Sequence, residues 1–156
     1  MKKVVSVLLS VMIMFTLSVP SLAVDNTDNA NTVIEYLEDG SCFITTITVV
    51  EVNSTYATNT KQVSKSTSYK DEDGIVCWKA TLHASFRYTG SSATCTESDV
   101  TYTVSNSKWK ITSATASKSG NTATADVTAK RYTLGIPLET LNRTITMTCS
   151  ANGTIS

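Results

Sequence analysis

The alternation of apolar and polar side chains across residues 75–88 constrains the fold of this chain more than any other feature. Trp78, Leu82 and Phe86 fall on one side of the segment, whereas Lys79 and His83 fall on the other. Period-two alternation over this length is typical of a half-buried β-strand and does not suit a helix. The sequence therefore predicts a strand at 75–88 whose apolar side, with Trp78 and Phe86, faces the protein core.

Composition extends this prediction to the rest of the chain after the N-terminal segment. Residues 24–156 contain 26 threonines and 16 serines together with many valines, isoleucines and tyrosines. β-Branched and aromatic residues favour strands, because they pack well on a pleated surface. A disordered Ser/Thr-rich stalk would be rich in proline, whereas only Pro137 occurs in this region. The predicted fold is all-β, an antiparallel two-sheet, immunoglobulin-like sandwich of about seven strands.

The predicted strands follow one another at spacings that suit such a sandwich. They cover residues 41–52, 58–69, 75–88, 93–104, 109–117, 122–132 and 140–150. The first of these is predicted to be central, and the second, which is polar, to be an edge strand. Residues 33–38 fit two structures, since Thr32 and Glu35 have the capping-box spacing of a helix whereas Asp39-Gly40 favours a hairpin turn. We favour the strand, because the segment that follows is clearly β.

The first 23 residues have the pattern of a secretion signal. Two lysines precede an apolar stretch at 4–19, Pro20 follows, and Ser21 and Ala23 supply the small residues that signal peptidase needs. The apolar stretch is short for a membrane span, which needs about 20 residues, so an uncleaved anchor is the less favoured alternative. The sequence predicts a signal peptide at 1–23, a polar spacer at 24–32 and a single β-sandwich domain at 33–156. The mature protein is expected to be secreted, extracellular and without a membrane span after signal cleavage.

The charge of the predicted mature chain argues against one class of partner. Removing residues 1–23 removes two of the 13 basic residues and none of the 13 acidic residues, which leaves 11 basic and 13 acidic side chains and a formal charge of −2. The chain has no basic stripe, so nucleic acid is not an expected partner. Attraction to an anionic membrane surface is equally unsupported.

Four cysteines follow the signal segment, namely Cys42, Cys77, Cys95 and Cys149. In an oxidising extracellular compartment this number indicates up to two disulfides. The spacing lacks the Cys-x-x-Cys pairs of a zinc site, so disulfide bonding is the expected use of the sulfur. The sequence itself leaves three pairings open.

The sequence offers no clear catalytic or metal-binding set. His83 is the only histidine, and its same-strand neighbours Thr81 and Ser85 are expected about 7 Å away, too far for a direct hydrogen bond. Oxidised cysteines cannot act as nucleophiles. The acidic turn at 71–74 resembles part of a calcium loop but supplies too few of the roughly six oxygen ligands that calcium needs, so a solvated turn is favoured. The prediction is a non-enzymatic protein without catalytic residues, cofactor or metal.

Three aromatic residues give the only indication of a binding surface. Tyr56, Tyr69 and Trp109 are not clearly assigned to an inward face by the alternation. Exposed aromatic rings combine an apolar face with a polar group and therefore suit sugar rings. We take these three residues as candidate surface contacts to a ligand, with scattered aromatic residues on a β surface as the alternative.

Four segments of the chain resemble small secreted proteins of Gram-positive, clostridia-type bacteria. They are residues 34–41 (IEYLEDGS), 86–95 (FRYTGSSATC), 118–125 (KSGNTATA) and 148–154 (TCSANGT). The resemblance covers most of the predicted mature chain, and it implies neither an activity nor site residues. Because Cys95 and Cys149 lie inside these segments, the resemblance favours a Cys95–Cys149 disulfide, which leaves Cys42 to pair with Cys77.

Together these features predict a secreted, non-catalytic β-sandwich module that binds an extracellular glycan, the cell wall or a protein surface. The alternative is a secreted effector, such as a bacteriocin-like toxin or an enzyme inhibitor. Neither prediction names a particular partner.

Overall fold

A computed structural model of the chain describes residues 23–24, 31–55 and 58–156. These residues form nine β-strands, and none of them lies in a helix that could cross a membrane. The strands are β1 Ala23–Val24, β2 Asn31–Tyr36, β3 Cys42–Thr55, β4 Thr58–Lys70, β5 Val76–Tyr88, β6 Ala93–Val104, β7 Trp109–Ser119, β8 Thr122–Thr133 and β9 Ile136–Thr148.

Most of the predicted signal peptide and spacer lies outside the described residues. Ala23 and Val24 pair with Ile34 and Val33 of β2. The strand β2 begins at Asn31, so the first long strand starts two residues before the predicted domain boundary.

The strands form two antiparallel sheets with the orders β1-β2-β3-β4-β5-β6 and β7-β8-β9. The predicted all-β, two-sheet sandwich is confirmed. Within each sheet the strands follow the order of the sequence. The likeness to immunoglobulin domains therefore lies in the two facing sheets, since the connections lack the Greek-key crossovers of that fold.

The strand β4 occupies a different position from the predicted one. It lies between β3 and β5 instead of at an edge. The serines of β4, such as Ser64 and Ser66, alternate with the buried residues Val63, Thr67 and Tyr69. The prediction was wrong because a threonine and a tyrosine on the inner side made a half-buried central strand look uniformly polar.

The core lies between β5 of the larger sheet and the inner side of the smaller sheet. Trp78, Leu82 and Phe86 have no exposed surface, as their alternation predicted. The facing positions on β8 are mostly small: Ala123, Ala125, Val127 and Ala129. Small side chains opposite large ones let the two sheets approach closely and fill the interior at crystal-like density. Cys149 is also fully buried, in agreement with the predicted inward position.

The two sheets differ in width, and this difference leaves part of the larger sheet uncovered. On one side β7 lies beside β6, where the Ser98 hydroxyl donates to the Ser117 carbonyl at 3.1 Å. On the other side β9 lies over β4, where the Lys65 ammonium donates to the Thr146 carbonyl at 2.7 Å. The strands β2 and β3 extend past β9, and Val33 on their inner face stays 42% exposed.

The turn between β8 and β9 consists of Leu134 and Gly135, closed by the pair Thr133 and Ile136. The strand β9 thus begins at Ile136, four residues before the predicted start. Both turn residues have a positive φ, 49° for Leu134 and 83° for Gly135, as two-residue hairpin turns of the primed type require. Leu134 is 98% exposed, so no packing of its side chain offsets the cost of the left-handed backbone conformation.

Replacing Leu134 with asparagine is expected to raise the free energy of unfolding by about 1 kcal/mol. A left-handed backbone costs most residues about 1–2 kcal/mol, and asparagine tolerates it better than leucine. Urea denaturation measures the change, with Leu138→Asn as the control, because Leu138 is 60% exposed and its φ is not positive. An equal response of the two variants would contradict this account of the turn.

Candidate functional site

A cleft of about 370 Å³ lies where β9, above β4, meets the uncovered inner face of β2 and β3. We call it the β9 cleft. Its larger-sheet side is lined by Asn31, Val33, Thr45, Ile47, Lys65 and Thr67, and its β9 side by Arg143, Thr144, Ile145 and Thr146. The cleft follows directly from the mismatch in sheet width.

The floor of the β9 cleft combines apolar and hydroxyl-bearing side chains. Strand register places Val33 beside Thr45 and Thr45 beside Thr67 on one face. The Thr45 and Thr67 hydroxyls are hydrogen-bonded to each other at 3.0 Å, which satisfies both in a half-buried place. Val33 and Ile47 supply the apolar area, so the floor suits a ligand with both apolar and hydrogen-bonding groups.

Two cationic side chains flank the floor. The Arg143 guanidinium lies 2.8 Å from the Glu35 carboxylate and 4.6 Å from the centre of the Phe43 ring. The Lys65 ammonium is held by the Thr146 carbonyl. Two positive groups and one negative group leave the cleft with a local excess of positive charge, which favours an anionic ligand group.

The environment of Lys65 makes its charge costly. Burial lowers the pKa of Lys65 below its ordinary value of 10.5, and the nearby charge of Arg143 lowers it further. An anion bound next to Lys65 would favour the charged form and raise this pKa again. Binding of an anionic ligand is therefore linked to proton uptake by Lys65 at alkaline pH.

The backbone of β9 borders the cleft as a free sheet edge. Thr148 exchanges two backbone hydrogen bonds with Ser156, of 3.0 and 3.1 Å, on the side away from β8. In an antiparallel strand alternate residues point their backbone groups the same way, so Thr146, Thr144 and Asn142 also point theirs away from β8. Within the described residues, no further backbone hydrogen bond reaches Thr144 or Asn142 on this side.

A second concave surface lies on the opposite, solvent-facing side of β4, β5 and β6. His83 is its centre, with Nδ1 2.9 Å from the Ser64 hydroxyl and Nε2 3.0 Å from the Thr101 hydroxyl. Asp99 is the register partner of His83 on β6, yet the ring nitrogen is bonded to Thr101. A hydrolytic triad needs a carboxylate at that nitrogen, so the arrangement is a hydroxyl-bonded surface histidine. The sequence predicted that His83 is exposed, whereas its partners on the neighbouring strands could be identified only from the strand register.

The acidic turn before β5 uses its first carboxylate internally. Asp71 Oδ1 accepts the Ile75 N–H at 2.8 Å, and Oδ2 lies 3.5 Å from the Cys77 sulfur. In the described part of the chain, no group of three or more His, Cys, Asp or Glu side chains is placed to hold a metal ion. The Asp71 side chain thus closes the turn through its bond to the Ile75 backbone.

The predicted aromatic contacts are corrected by the structure. Tyr69 and Trp109 are only 3% and 4% exposed, and their ring centres lie 5.1 Å apart. Tyr69 also stacks on Trp78 at 6.0 Å, so both residues belong to the core and offer no ligand surface. The spacing of Val63, Thr67 and Tyr69 along β4 was the sequence signal for this inward position. Tyr56 lies outside the described residues.

All four cysteines are buried and unbonded in this structure. The predicted Cys42–Cys77 pairing is not compatible with it, because β4 lies between the strands that carry the two residues. Two strand spacings amount to about 9–10 Å, whereas a disulfide needs Cα atoms within about 7 Å. Cys77 also belongs to the core cluster, whereas Cys42 does not.

Cys95 and Cys149 meet at one turn. Their backbone N–H groups donate to the carbonyls of the consecutive turn residues Gly120 and Asn121, at 2.8 and 3.0 Å. Burial raises the pKa of the Cys95 thiol, Lys118 lowers it, and the Cys149 thiol raises it. The two thiols thus lie within electrostatic reach of each other in the core, and their disulfide remains a prediction.

Comparison of the chain with known protein families, with curated proteins and with solved structures finds no match. The resemblance to small secreted clostridial proteins therefore stays a prediction. The assignment of a site therefore depends on the geometry of the β9 cleft, compared with the outer surface around His83 and with the exposed hairpin at Leu134.

Proposed function

We propose that this protein is a secreted, non-catalytic binding module whose extracellular ligand occupies the β9 cleft. The observation that carries the proposal is the unequal width of the sheets, which leaves a floor of apolar and hydroxyl-bearing side chains open beside a free strand edge. An open cleft that combines apolar side chains with a few hydrogen-bonding groups is a common mark of a binding site. Secretion is supported by the signal pattern of residues 1–23.

The surroundings of His83 support a non-catalytic role. The histidine is the only one in the chain, and both of its ring nitrogens contact hydroxyl groups on an exposed sheet face. A general base needs an orienting acid and a reacting group within reach. The proposal therefore assigns the protein to binding of a glycan, a wall polymer or a protein surface.

Filling the β9 cleft is expected to abolish ligand binding. Val33→Trp places a large ring on the open floor, since Val33 is 42% exposed there. Val104→Trp is the matched control, because Val104 is a valine of 38% exposure near the opposite edge of the same sheet. Sedimentation of each protein with cell-wall sacculi, and capture by immobilised surface proteins of Gram-positive cells, measure the binding.

The result predicted for the control is binding equal to that of the unsubstituted protein. Circular dichroism of both variants checks that the sandwich is intact. Equal binding by Val33→Trp and Val104→Trp would remove the β9 cleft as the binding site.

A secreted effector is the second candidate, and the Leu134 hairpin is the observation that favours it. Leu134, Ile136 and Leu138 are 98%, 63% and 60% exposed at the tip of one hairpin. A strained, exposed leucine is a feature that functional sites retain, and it suits insertion into an apolar pocket of a target protein. Under this alternative Leu134→Asn suppresses the effect of the protein on neighbouring cells, while Val33→Trp leaves it unchanged.

A further inference from the structure

We infer that the β9 cleft binds an extended polypeptide segment of a partner protein, which adds to β9 as an antiparallel fourth strand of the smaller sheet. The inference rests on the proposed function and names the ligand class of the same site. It is carried by the free edge of β9, by the uncovered floor next to that edge, and by the charge of the cleft.

The end of β9 already pairs with a short extended segment of this chain. Ile155 forms an antiparallel bridge with Cys149, and Ser156 exchanges two backbone hydrogen bonds with Thr148. A strand that continues in the direction of these residues runs along β9 toward Thr146, Thr144 and the cleft. The backbone of β9 thus has the geometry for strand addition at the place where the floor is uncovered.

Main-chain groups distinguish a polypeptide from a saccharide at this edge. The outward N–H and C=O groups of Thr144 and Asn142 repeat at every second residue, which matches the repeat of an extended peptide. Peptides that add to a sheet edge gain affinity from such bonds and specificity from alternate side chains. The ligand's inward side chains would contact Val33 and Ile47 of the floor.

Lys65 determines which peptides are accepted. Its ammonium reaches from β4 to the edge of β9 and donates to the Thr146 carbonyl. A lysine that covers a free strand edge is a common protection against unwanted strand pairing. An acidic side chain of the ligand draws Lys65 into an ion pair and frees the carbonyl, whereas a basic side chain leaves Lys65 and Arg143 facing a third positive charge. The cleft therefore selects an extended segment whose inward side chains, at every second residue, are apolar and acidic in turn.

The test uses the full chain with the peptide Thr-Val-Thr-Glu-Thr-Val-Thr-Glu, which we call the Val-Glu peptide and in which Val and Glu lie on one face. Its length, about eight residues, is that of an ordinary strand. A Val-Lys peptide, with Lys in place of each Glu, tests the charge, and a Val-Glu peptide with N-methylated backbone nitrogens tests the main-chain bonds. We expect the dissociation constant of each comparison peptide to be at least about tenfold higher than that of the Val-Glu peptide. A tenfold change has the size expected for the loss of one or two hydrogen bonds. Bound Val-Glu peptide should slow amide hydrogen exchange at Thr144, while the amide of Arg143, which faces β8, stays unchanged.

A charge reversal keeps the test independent of folding. Lys65→Glu is expected to invert the preference, so that the Val-Lys peptide binds better than the Val-Glu peptide. Equal binding of the N-methylated peptide, or unchanged Thr144 exchange with peptide bound, would overturn the inference. Binding of wall polysaccharide alone, lost in Val33→Trp, would also overturn it while the proposed function stands. If Val33→Trp alters the binding of no extracellular ligand, the proposed function fails as well.

Discussion

Replacing Trp78 with alanine is expected to lower the free energy of unfolding by about 3–5 kcal/mol, as for other large buried aromatic residues. The Trp78 side chain has no exposed surface, and its ring lies 5.9 Å from Phe43 and 6.0 Å from Tyr69. The backbone of a sheet held from both sides cannot collapse into the space that the ring leaves. Guanidinium denaturation measures the loss, with Tyr102→Ala as the control, because Tyr102 is 51% exposed.

A companion substitution separates packing from hydrogen bonding at the same position. The indole nitrogen of Trp78 is buried, and no partner for it is found among the described residues. Trp78→Phe removes this unpaired donor and keeps an aromatic ring, so its cost should fall well below that of Trp78→Ala. A loss for Trp78→Ala no larger than that for Tyr102→Ala would mean that the inner face of β5 is assigned wrongly.

Oxidation of Cys95 and Cys149 to a disulfide is expected to stabilise the protein by about 4 kcal/mol in the chain-entropy model. Both thiols are buried beside the β7–β8 turn, and the bond would close a long loop that joins the two sheets. Denaturation with and without reductant measures the difference, and peptide mapping under non-reducing conditions identifies the bond. Cys42→Ser is the control, since the predicted bond does not include Cys42. Free Cys95 in protein secreted by its host would contradict the prediction.

The free energy of unfolding of the reduced protein should also depend on pH through the thiols of Cys95 and Cys149. Burial raises the thiol pKa of both Cys95 and Cys149 above the ordinary value of 9.0. A raised pKa means that the folded state holds its proton more tightly, so the stabilisation is complete below pH 9.0 and is lost as the pH rises through the folded-state pKa. The oxidised protein lacks these two titrations. Its stability should therefore fall less between pH 9 and 11, and equal slopes for the two forms would contradict the burial of these thiols.

The sequence predicted the parts of the fold that depend on local alternation. Residues 78–88 alternate without interruption, so the strand, its inward face and the burial of Trp78 and Phe86 all followed from local pattern. Cys77 is the exception, because it is fully buried although the alternation places it on the outward side. The edge position assigned to β4 and the surface position assigned to Tyr69 were wrong for one shared reason. Lys65 and Thr67 interrupt the apolar series between Val63 and Tyr69, so both faces of this serine- and threonine-rich strand look polar and the signal of the buried face is weak.

The candidate site required information that no local pattern contains. The β9 cleft exists because one sheet is wider than the other, which is a property of the whole assembly of strands. Likewise, the partners of His83 are Ser64 and Thr101 on neighbouring strands, and strand register decides which residues meet there. The Cys42–Cys77 pairing failed because a third strand separates the two residues, and their spacing in the sequence gives no sign of it.

The most direct measurement of the central claim is an amide chemical-shift map of the labelled protein with a wall or surface-protein fraction that it binds. Three surfaces compete in this fold: the β9 cleft, the outer face around His83, and the Leu134 hairpin. We expect the shift changes to cluster at Val33, Thr45, Lys65 and Thr144 and to spare the other two surfaces. Changes centred on His83 or on Leu134, with the cleft residues unmoved, would contradict the assignment of the β9 cleft as the binding site.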